Sequence, residues 1–360
     1  MTSRKPAVLV TGATGFVAMH CIVRLLREGY RVRGTLRSSA PARISGLRSA
    51  LSRELGHDAA LIDELQLCEA DLSLDAGWRD AVRGCGAVLH VASPVPTVAP
   101  KNPADVIAPA RDGTLRVLRA AQAAGVKRVV MTSSIAAVLY GHARDGSRVY
   151  DERNWSVLST DVGPYEQSKT LAERAAWGAA GSLELVTICP GVVLGPVLSD
   201  DFAVSVEVVR KLLARETPGC PTLGFALTDV RDLADAHLAA LRVPEARGQR
   251  FITASHHVPL REIALVLGRR FASRGFKVPS GSVPDWVLRL VALWDRTVAL
   301  AVPELGKRQD VSSARARAVL GWTPRPVEDT IADTGESLIR FQLVRPTRLP
   351  LTRSQPQPSA

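Results

Sequence analysis

Apolar residues follow two different spacings along the first half of the chain. Short runs rich in β-branched apolar residues, typical of buried strands, alternate with longer segments whose apolar residues recur at helical spacing. The predicted strands cover residues 7–11, 31–36, 65–70, 87–92, 128–132 and 185–189. The predicted helices cover residues 15–29, 41–56, 75–83, 103–124 and 164–180. This alternation predicts an α/β fold with a doubly wound parallel sheet and helices on both of its faces.

Helical spacing dominates after residue 190. The predicted helices there are residues 202–215, 230–241, 260–272, 283–301, 312–320 and 326–342, and residues 250–253 form one short strand. We therefore expect a smaller, mostly helical part over residues 196–343, lying beside the sheet as a lid. Residues 344–360 are rich in Pro, Arg and Gln and are predicted to form a disordered tail.

Composition narrows the class of protein. Hydrophobic residues make up 46% of the 360 residues, which suits a packed core and excludes general disorder. The five cysteines are odd in number and contain no CxxC pair, so neither a disulfide framework nor a zinc site is predicted and a reducing cytoplasm is expected. Charged residues interrupt or flank the apolar run 286–302, which is predicted to be a buried helix pair and not a membrane span.

The net charge of +11 is the one compositional feature that would suit an acidic partner. The arginines are scattered, however, and no basic–aromatic motif of a nucleic-acid-binding protein is present. We interpret the charge as a solvated, Arg-rich surface that also favours a phosphorylated cofactor.

A glycine-containing turn joins the first predicted strand to the first predicted helix. Gly12 permits a tight turn, Gly15 lets the backbone approach a pyrophosphate, and Ala18 is small enough for the helix to pack on the sheet. The helix start offers free N–H groups and a partial positive charge to phosphates. The predicted cofactor contacts here are Gly12, Thr14, Gly15, Phe16 and Val17. Residues 1–195, with returning segments at about 225–255, are thus predicted to form a Rossmann domain that binds a dinucleotide.

The end of the second predicted strand indicates which dinucleotide is bound. An NAD site usually has an acidic residue at this point to bind the ribose hydroxyls, but the chain has none. Arg37 stands there instead and can hold a 2′-phosphate through its planar fork, with Arg43 as a second contact. The predicted cofactor is therefore NADP(H).

Tyr165 and Lys169 are four residues apart on a predicted helix that Pro164 can open, so their side chains share one face. A neighbouring ammonium favours the phenolate, so we expect it to lower the tyrosine pKa and prepare the phenol for proton transfer to a carbonyl oxygen. Ser134, at the end of the fifth strand, can polarise that oxygen, with Ser133 as the reserve choice.

At these residues the chain resembles the extended short-chain dehydrogenase/reductases, and within them the branch of dihydroflavonol reductases, cinnamoyl-CoA reductases, yeast-type carbonyl reductases and bacterial aldehyde reductases. The similarity covers roughly residues 5–340. The stretches that carry it are VTGATGFVA (10–18), VRGTLRS (32–38), ADL (70–72), HVASPV (90–95), VVMTSSIAAV (129–138), YEQSKTLAERAAW (165–177), ICPGVVLGP (188–196) and DVRDLADAH (229–237).

The resemblance implies further roles. Ser134, Tyr165 and Lys169 match the catalytic serine, tyrosine and lysine of the family, and Lys169 would also contact the nicotinamide ribose. Further cofactor contacts are implied for Asp71, Leu72, Val91, Ala92, Ser93, Pro190, Gly191, Val192, Val193 and Ser205. Two features depart from the branch: Ile135 replaces the small residue usual after the serine, and the loop 139–163 is moderately short, which puts a bulky flavonoid pocket in doubt.

The preferred hypothesis is an NADPH-dependent reductase of a small aldehyde or ketone, or the reverse oxidation of the alcohol. Two alternatives remain. A nucleotide-sugar epimerase/dehydratase or hydroxysteroid dehydrogenase would use NAD, and Arg37 counts against both; a non-catalytic NADP sensor would not need the serine, tyrosine and lysine set. The expected partner is a small carbonyl or alcohol, without metal, nucleic acid or membrane, and the chain is expected to be a monomer or homodimer.

Overall fold

A seven-stranded parallel sheet forms the centre of the computed structural model, which describes residues 5–94, 102–294, 296–299 and 301–346. The strands in chain order are β1 (Ala7–Val10), β2 (Val32–Leu36), β3 (Leu65–Glu69), β4 (Cys85–His90), β5 (Arg128–Thr132), β6 (Glu184–Pro190), β7 (Val192–Leu194), β8 (Gly224–Asp229), β9 (Arg250–Thr253) and β10 (His257–Pro259). The order in the main sheet is β3-β2-β1-β4-β5-β6-β9, and every neighbouring pair is parallel. This doubly wound order is the predicted fold class.

Helices cover both faces of this sheet. The helices in chain order, including those of the C-terminal part, are α1 (Phe16–Arg27), α2 (Pro41–Leu55), α3 (Trp78–Val82), α4 (Ala104–Ala123), α5 (Pro164–Ala179), α6 (Glu207–Leu213), α7 (Val230–Arg242), α8 (Leu260–Phe271), α9 (Asp285–Val291), α10 (Arg296–Ala299), α11 (Ala314–Leu320) and α12 (Val327–Arg340). Val8 and Val10 pack with α1, α2 and α7, whereas Leu9 packs with α3, α4 and α5 on the other face. Successive strand residues point to opposite faces, so the apolar runs fill two cores.

The predicted strand 87–92 ends earlier than expected, at His90. Beyond that point the N–H groups of Val91 and Ala92 donate to the hydroxyl of Thr11, at 3.0 and 2.9 Å, in place of a neighbouring strand. The side chain of Thr11 therefore takes the place of a neighbouring strand as hydrogen-bond acceptor. The strand β4 ends here, at the same edge of the sheet as β1.

The second part of the chain contains more strand than the sequence pattern predicted. The strands β7, β8 and β10 form a small separate sheet in the order β10-β8-β7, with β10 antiparallel to β8. The helix predicted over 202–215 is shorter, because α6 begins at Glu207 after a single 3₁₀ turn. Three-residue strands such as β7 and β10 are too short to show an alternating pattern.

The prediction that the apolar run 286–302 forms a buried helix pair is wrong, because several of its side chains are exposed to solvent. Trp286, Leu293 and Trp294 are 65, 75 and 73% exposed. Val287 and Leu288, by contrast, line a cavity on the inner side of α9. The segment forms an outer wall, so only one of its apolar faces meets the rest of the described chain.

A third core unites the C-terminal part with the start of α1. Val209, Leu267, Phe271 and Ile331, from α6, α8 and α12, are completely buried there together with Phe16. Val344 also packs into this core, although the predicted tail begins at that residue; residues 347–360 lie outside the described part. No helix of the described chain is both long enough and apolar enough to cross a bilayer.

Three buried histidines make the fold sensitive to acid. Burial lowers the pKa of His20 and His237 to about 4 and that of His90 to about 3. His237 joins α7 to β5 through a 2.7 Å hydrogen bond between its Nε2 and Thr132 Oγ1. Because the unfolded chain binds these protons near pH 6.5, stability is present above that pH and is lost as the pH falls toward 4.

We expect His237→Gln to reduce the acid sensitivity of folding. Between pH 7 and pH 5 the parent should lose about 2 kcal/mol more unfolding free energy than the variant, because one buried neutral histidine is absent from the variant. Urea unfolding midpoints at the two pH values measure the difference. His57→Gln is the control, since that side chain is 93% exposed. Equal pH dependence in His237→Gln and the parent would contradict the assignment.

Candidate active site

A cavity of about 1640 Å³ lies at the carboxyl ends of the parallel strands, between the main sheet and the C-terminal part. In open α/β sheets this edge is where ligands bind. The structure brings nearly all predicted site residues to this cavity: Gly12, Thr14, Gly15, Phe16, Val17, Arg37, Asp71, Leu72, Val91, Ala92, Ser93, Ser134, Tyr165, Lys169, Pro190, Gly191, Val192, Val193 and Ser205. Arg43 is the exception, because it is exposed on α2 and does not line the cavity.

The glycine turn is held close to the neighbouring strand end. Gly12 has a φ of +69°, and a Cβ at this position would lie 2.9 Å from the Cβ of Ala92. The N–H of Gly12 donates to Thr35 Oγ1 at 2.9 Å, and Thr11 Oγ1 accepts from Val91 and Ala92. Sequence reasoning missed Thr11 and Thr35, although each stands at or beside the end of a strand facing the turn. The two hydroxyls fix the shape of the turn.

The start of α1 suits an anion. Gly15 is the N-cap residue, and no side chain caps the helix. The first turn contains no acidic residue, so nothing on the helix itself competes for the N–H groups of Phe16, Val17 and Ala18. These residues line the cavity, and the arrangement fits the pyrophosphate of a dinucleotide.

Arg37 and Asp71 lie together at the exposed end of the cavity. The Asp71 carboxylate accepts two hydrogen bonds from Ser73, at 2.7 Å from the N–H and 2.6 Å from the hydroxyl. These bonds, with a smaller contribution from the Arg37 charge, hold the pKa of Asp71 below its usual range. Within the described residues Arg37 forms no hydrogen bond or ion pair, so its guanidinium is available to a ligand.

The serine, tyrosine and lysine predicted from the sequence lie on one wall of the cavity. Tyr165 and Lys169 are in the first two turns of α5, which begins at Pro164, and Lys169 Nζ is 5.9 Å from the centre of the Tyr165 ring. Ser134 follows β5, and its hydroxyl accepts a hydrogen bond from the N–H of Ala136 at 3.1 Å. Ser133 donates to the buried carboxylate of Glu173 at 2.6 Å, whereas the hydroxyl of Ser134 interacts with the phenol of Tyr165.

Burial controls the protonation states of Tyr165 and Lys169 on this wall of the cavity. It raises the pKa of Tyr165 to about 12, the charge of Glu166 adds to the rise, and hydrogen bonding with Ser134 opposes it. The expected lowering of the tyrosine pKa by Lys169 is therefore absent from this structure, because desolvation of the phenolate dominates. Burial also lowers the pKa of Lys169 to about 8, against the charges of Cys189 and Glu173. At neutral pH the phenol keeps its proton.

The backbone after β6 closes the inner end of the cavity. Gly191 donates its N–H to Thr228 Oγ1 at 2.9 Å, and a Cβ on Gly191 would lie 2.1 Å from the carbonyl oxygen of Ala226. Ser205 donates to the carbonyl of Val193 at 2.6 Å. The hydroxyl of Ser205 thus holds the predicted cofactor loop in place while lining the same cavity.

Polar residues that the sequence did not mark also line the cavity. Arg144 forms a two-point ion pair with Glu304 at 2.6 and 2.7 Å, and the hydroxyl of Tyr140 donates to Glu304 at 3.0 Å. The pair ties the loop 139–163 to the C-terminal part. Only the position of Tyr140 and Arg144 in a long, glycine-containing loop pointed to the site; nothing in the sequence marked Glu304.

Fold and cavity together define a dinucleotide-dependent oxidoreductase of the extended short-chain dehydrogenase/reductase type. The chain belongs to the NAD dependent epimerase/dehydratase family, which matches residues 8–253. It is 34% identical to dihydroflavonol 4-reductase of Zea mays over 284 residues, which are 75% of each chain. It is 36% identical to cinnamoyl-CoA reductase 1 of Petunia hybrida over 269 residues, covering 73% of this chain and 77% of that one.

Solved structures agree with these relatives. Yeast methylglyoxal/isovaleraldehyde reductase complexed with NADPH matches with a TM-score of 0.76 and 26% identity, over 93% of this chain and 99% of that one. Vestitone reductase from alfalfa matches with a TM-score of 0.70 and 26% identity, over 94 and 100% of the two chains. The predicted family and fold class are confirmed, and the protein is an NAD(P)-dependent reductase of the extended type.

We expect Gly12→Ala to weaken dinucleotide binding about tenfold or more, or about 1.4 kcal/mol, because the added methyl group displaces the turn from Ala92. Fluorescence titration with NADH and NADPH measures the loss. Gly29→Ala is a matched control, since Gly29 has a similar φ of +75° but no atom near its Cβ position and no part in the cavity. A loss of equal size in the control would attribute the effect to backbone strain alone.

Proposed function

We propose that the protein reduces a small aldehyde or ketone with NADPH, and oxidises the corresponding alcohol in reverse. The observation that carries this proposal is the placement of Ser134, Tyr165 and Lys169 on one wall of the cavity that the phosphate-binding turn opens into. An NADP sensor needs the turn but has no use for a proton donor and a hydroxyl directed at the same point.

Each of the three side chains has a separate task at the carbonyl oxygen. When bound, NADPH supplies the hydride for the carbonyl carbon. The hydroxyl of Ser134 donates a hydrogen bond that polarises the C=O group, and the phenol of Tyr165 delivers its proton as negative charge develops on the oxygen. The ammonium of Lys169 stabilises the tyrosinate that remains, because an opposite charge nearby favours the ionised phenol.

The raised pKa of Tyr165 agrees with a role as proton donor. A phenol that stays protonated at neutral pH is ready to donate before the reaction begins. The alkoxide formed by hydride addition is a much stronger base than a phenolate, so transfer remains downhill even from a buried phenol. The ammonium of Lys169, 5.9 Å from the centre of the ring, then stabilises the negative charge that remains on the tyrosine once the proton has left.

The position of Arg37 supports a preference for NADPH over NADH as the cofactor. It lies at the adenine-side end of the cavity, exposed and without an ion pair among the described residues, where a 2′-phosphate can pair with it in two-point fashion. The yeast reductase with the same fold was crystallised with NADPH. Nucleotide-sugar epimerases that use NAD need no such cation, which favours the reductase over that alternative.

The wall beyond the tyrosine supports a substrate with an apolar body. It is built from apolar side chains in or just before β8 and α9, which are Leu223, Phe225, Val283, Val287, Leu288 and Val291. Relatives are named for dihydroflavonol, cinnamoyl-CoA and methylglyoxal or isovaleraldehyde. Following NADPH absorbance with a panel of aldehydes, ketones and acyl-CoA thioesters tests the proposal, and no turnover of any aldehyde or ketone would overturn it.

Tyr165→Phe should bind NADPH as tightly as the parent and lose at least about a thousandfold in kcat, because the variant lacks the proton donor while the ring stays in place. Steady-state kinetics and a fluorescence titration measure the two quantities. Tyr150→Phe serves as the control, since its hydroxyl is also buried but donates to the carbonyl of Ala143 outside the cavity. Parent-like turnover in Tyr165→Phe would remove the phenol from the mechanism.

Arg37→Gln should weaken NADPH binding about tenfold or more and leave NADH binding within about twofold, because only the 2′-phosphate pairs with the guanidinium. Arg43→Gln is the matched control, as it also deletes one exposed arginine from the same region but lies outside the cavity. Equal loss for both cofactors, or an equal loss in the control, would assign the preference to general charge.

A further inference from the structure

A buried ion pair lies directly behind the wall that carries Ser134 and Lys169. Glu173 is completely buried and Arg250 is 7% exposed. Arg250 donates from Nε to Glu173 Oε1 at 2.7 Å and from Nη2 to Oε2 at 3.1 Å. Glu173 follows Lys169 by four residues on α5, so the two side chains leave the same face of the helix.

Glu173 connects the helix α5 with two strands of the main sheet, β5 and β6. Besides the arginine, its carboxylate accepts from Ser133 Oγ at 2.6 Å and from Thr187 Oγ1 at 2.7 Å. Ser133 directly precedes Ser134, and Thr187 is in β6. One buried charge thus holds the end of β5, the helix α5 and β6 in a single arrangement, with the serine adjacent to Ser134 as one of its donors.

Arg250 extends the same connection to the loop over the site. From β9 it donates to the carbonyl oxygens of Glu152 at 2.9 Å and Asn154 at 2.7 Å. Its guanidinium lies 3.7 Å from the centre of the Trp155 ring. Among the residues that the structure describes, its hydrogen bonds go to Glu173 and to the backbone carbonyls of Ala137, Glu152 and Asn154.

Stability alone does not account for such a pair. Desolvation of two charges offsets most of their attraction, and apolar residues of similar volume often stabilise a core equally well. The chain offers a comparison elsewhere in the main sheet: Arg128 and Glu184, at the amino ends of β5 and β6 and therefore away from the cavity, pair at 2.7 Å with side chains 11 and 12% exposed. That pair touches no cavity residue.

We propose that Glu173, held by Arg250, is a positioning residue for the reduction proposed above: it fixes the Ser133–Ser134 backbone and supplies the negative charge that balances the buried Lys169 ammonium. The proposal rests on the proposed function for its catalytic consequence. The charge balance between Glu173 and Lys169 is a property of the protein without substrate, so it can be tested separately.

Glu173 is the main source of negative charge near Lys169, because the other ionisable groups that face the lysine are neutral. From β6, Cys189 faces the lysine, but burial raises the pKa of its thiol, so the thiol stays neutral. From β4, His90 faces it as a neutral ring, since burial lowers the pKa of His90 to about 3. Tyr165, on the helix itself, keeps its proton. Removing the charge of Glu173 should therefore lower the pKa of Lys169 further below its present value of about 8.

The decisive experiment is an NMR titration of lysine labelled with ¹³C at Cε, in the protein without cofactor, using Lys169→Arg to assign the signal. In Glu173→Gln the midpoint of Lys169 should fall by about half a pH unit or more, whereas Glu173→Asp, which keeps the charge, should stay near the parent. Glu184→Gln is the matched control and should leave the midpoint unchanged. An unshifted midpoint in Glu173→Gln would overturn the electrostatic role.

Ser133→Ala tests the positioning role with a smaller change that keeps both charges. It removes the 2.6 Å contact beside Ser134, so kcat for the best aldehyde or ketone of the panel should fall about tenfold with KM within about twofold. Parent-like kcat would overturn positioning. The lysine titration needs no turnover, so its result stays separate from that of Tyr165→Phe, which tests the proposed function itself.

Discussion

Parallel strand pairing is the constraint on which the rest of this structure depends. Because β1, β4, β5 and β6 run in the same direction, the residues that follow each strand meet at one edge of the sheet. Residues far apart in sequence, such as Gly12, Ser134 and Pro190, therefore line a single cavity. The hydroxyls of Thr11 and Thr35 then replace strand hydrogen bonds where β1, β2 and β4 end, and this replacement shapes the glycine turn.

Desolvation sets the chemistry at that edge. The cost of ionising a buried phenol keeps Tyr165 protonated, and the cost of a buried ammonium brings the pKa of Lys169 to about 8. The same cost would make Glu173 an unfavourable residue, were it not for Arg250 and the two hydroxyl donors around it. Burial thus determines the protonation states of Tyr165 and Lys169. The hydrogen bonds around Glu173 offset part of the desolvation cost of the buried charges.

Several predictions from the sequence came from patterns with a strong local cause. The main strands, the glycine turn and the pairing of Tyr165 with Lys169 on one helix follow from side-chain periodicity and backbone geometry, which neighbouring residues determine. The expected tyrosine pKa was wrong because it considered one neighbouring charge and not the depth of burial. The burial predicted for the run 286–302 was wrong because apolar character does not say which elements cover a helix.

The sequence by itself determined the order of the strands and main helices up to β6, the fold class, the family and the helix that carries Tyr165 and Lys169, because these depend on local spacing and on contiguous motifs. Only the tertiary structure decided that Arg43 lies away from the cavity, that β7, β8 and β10 form their own sheet, and that Glu173 meets Arg250 behind the site. The physical reason is that these outcomes depend on contacts between residues far apart in sequence. Burial and long-range pairing depend on how the elements pack, and no single segment contains that information.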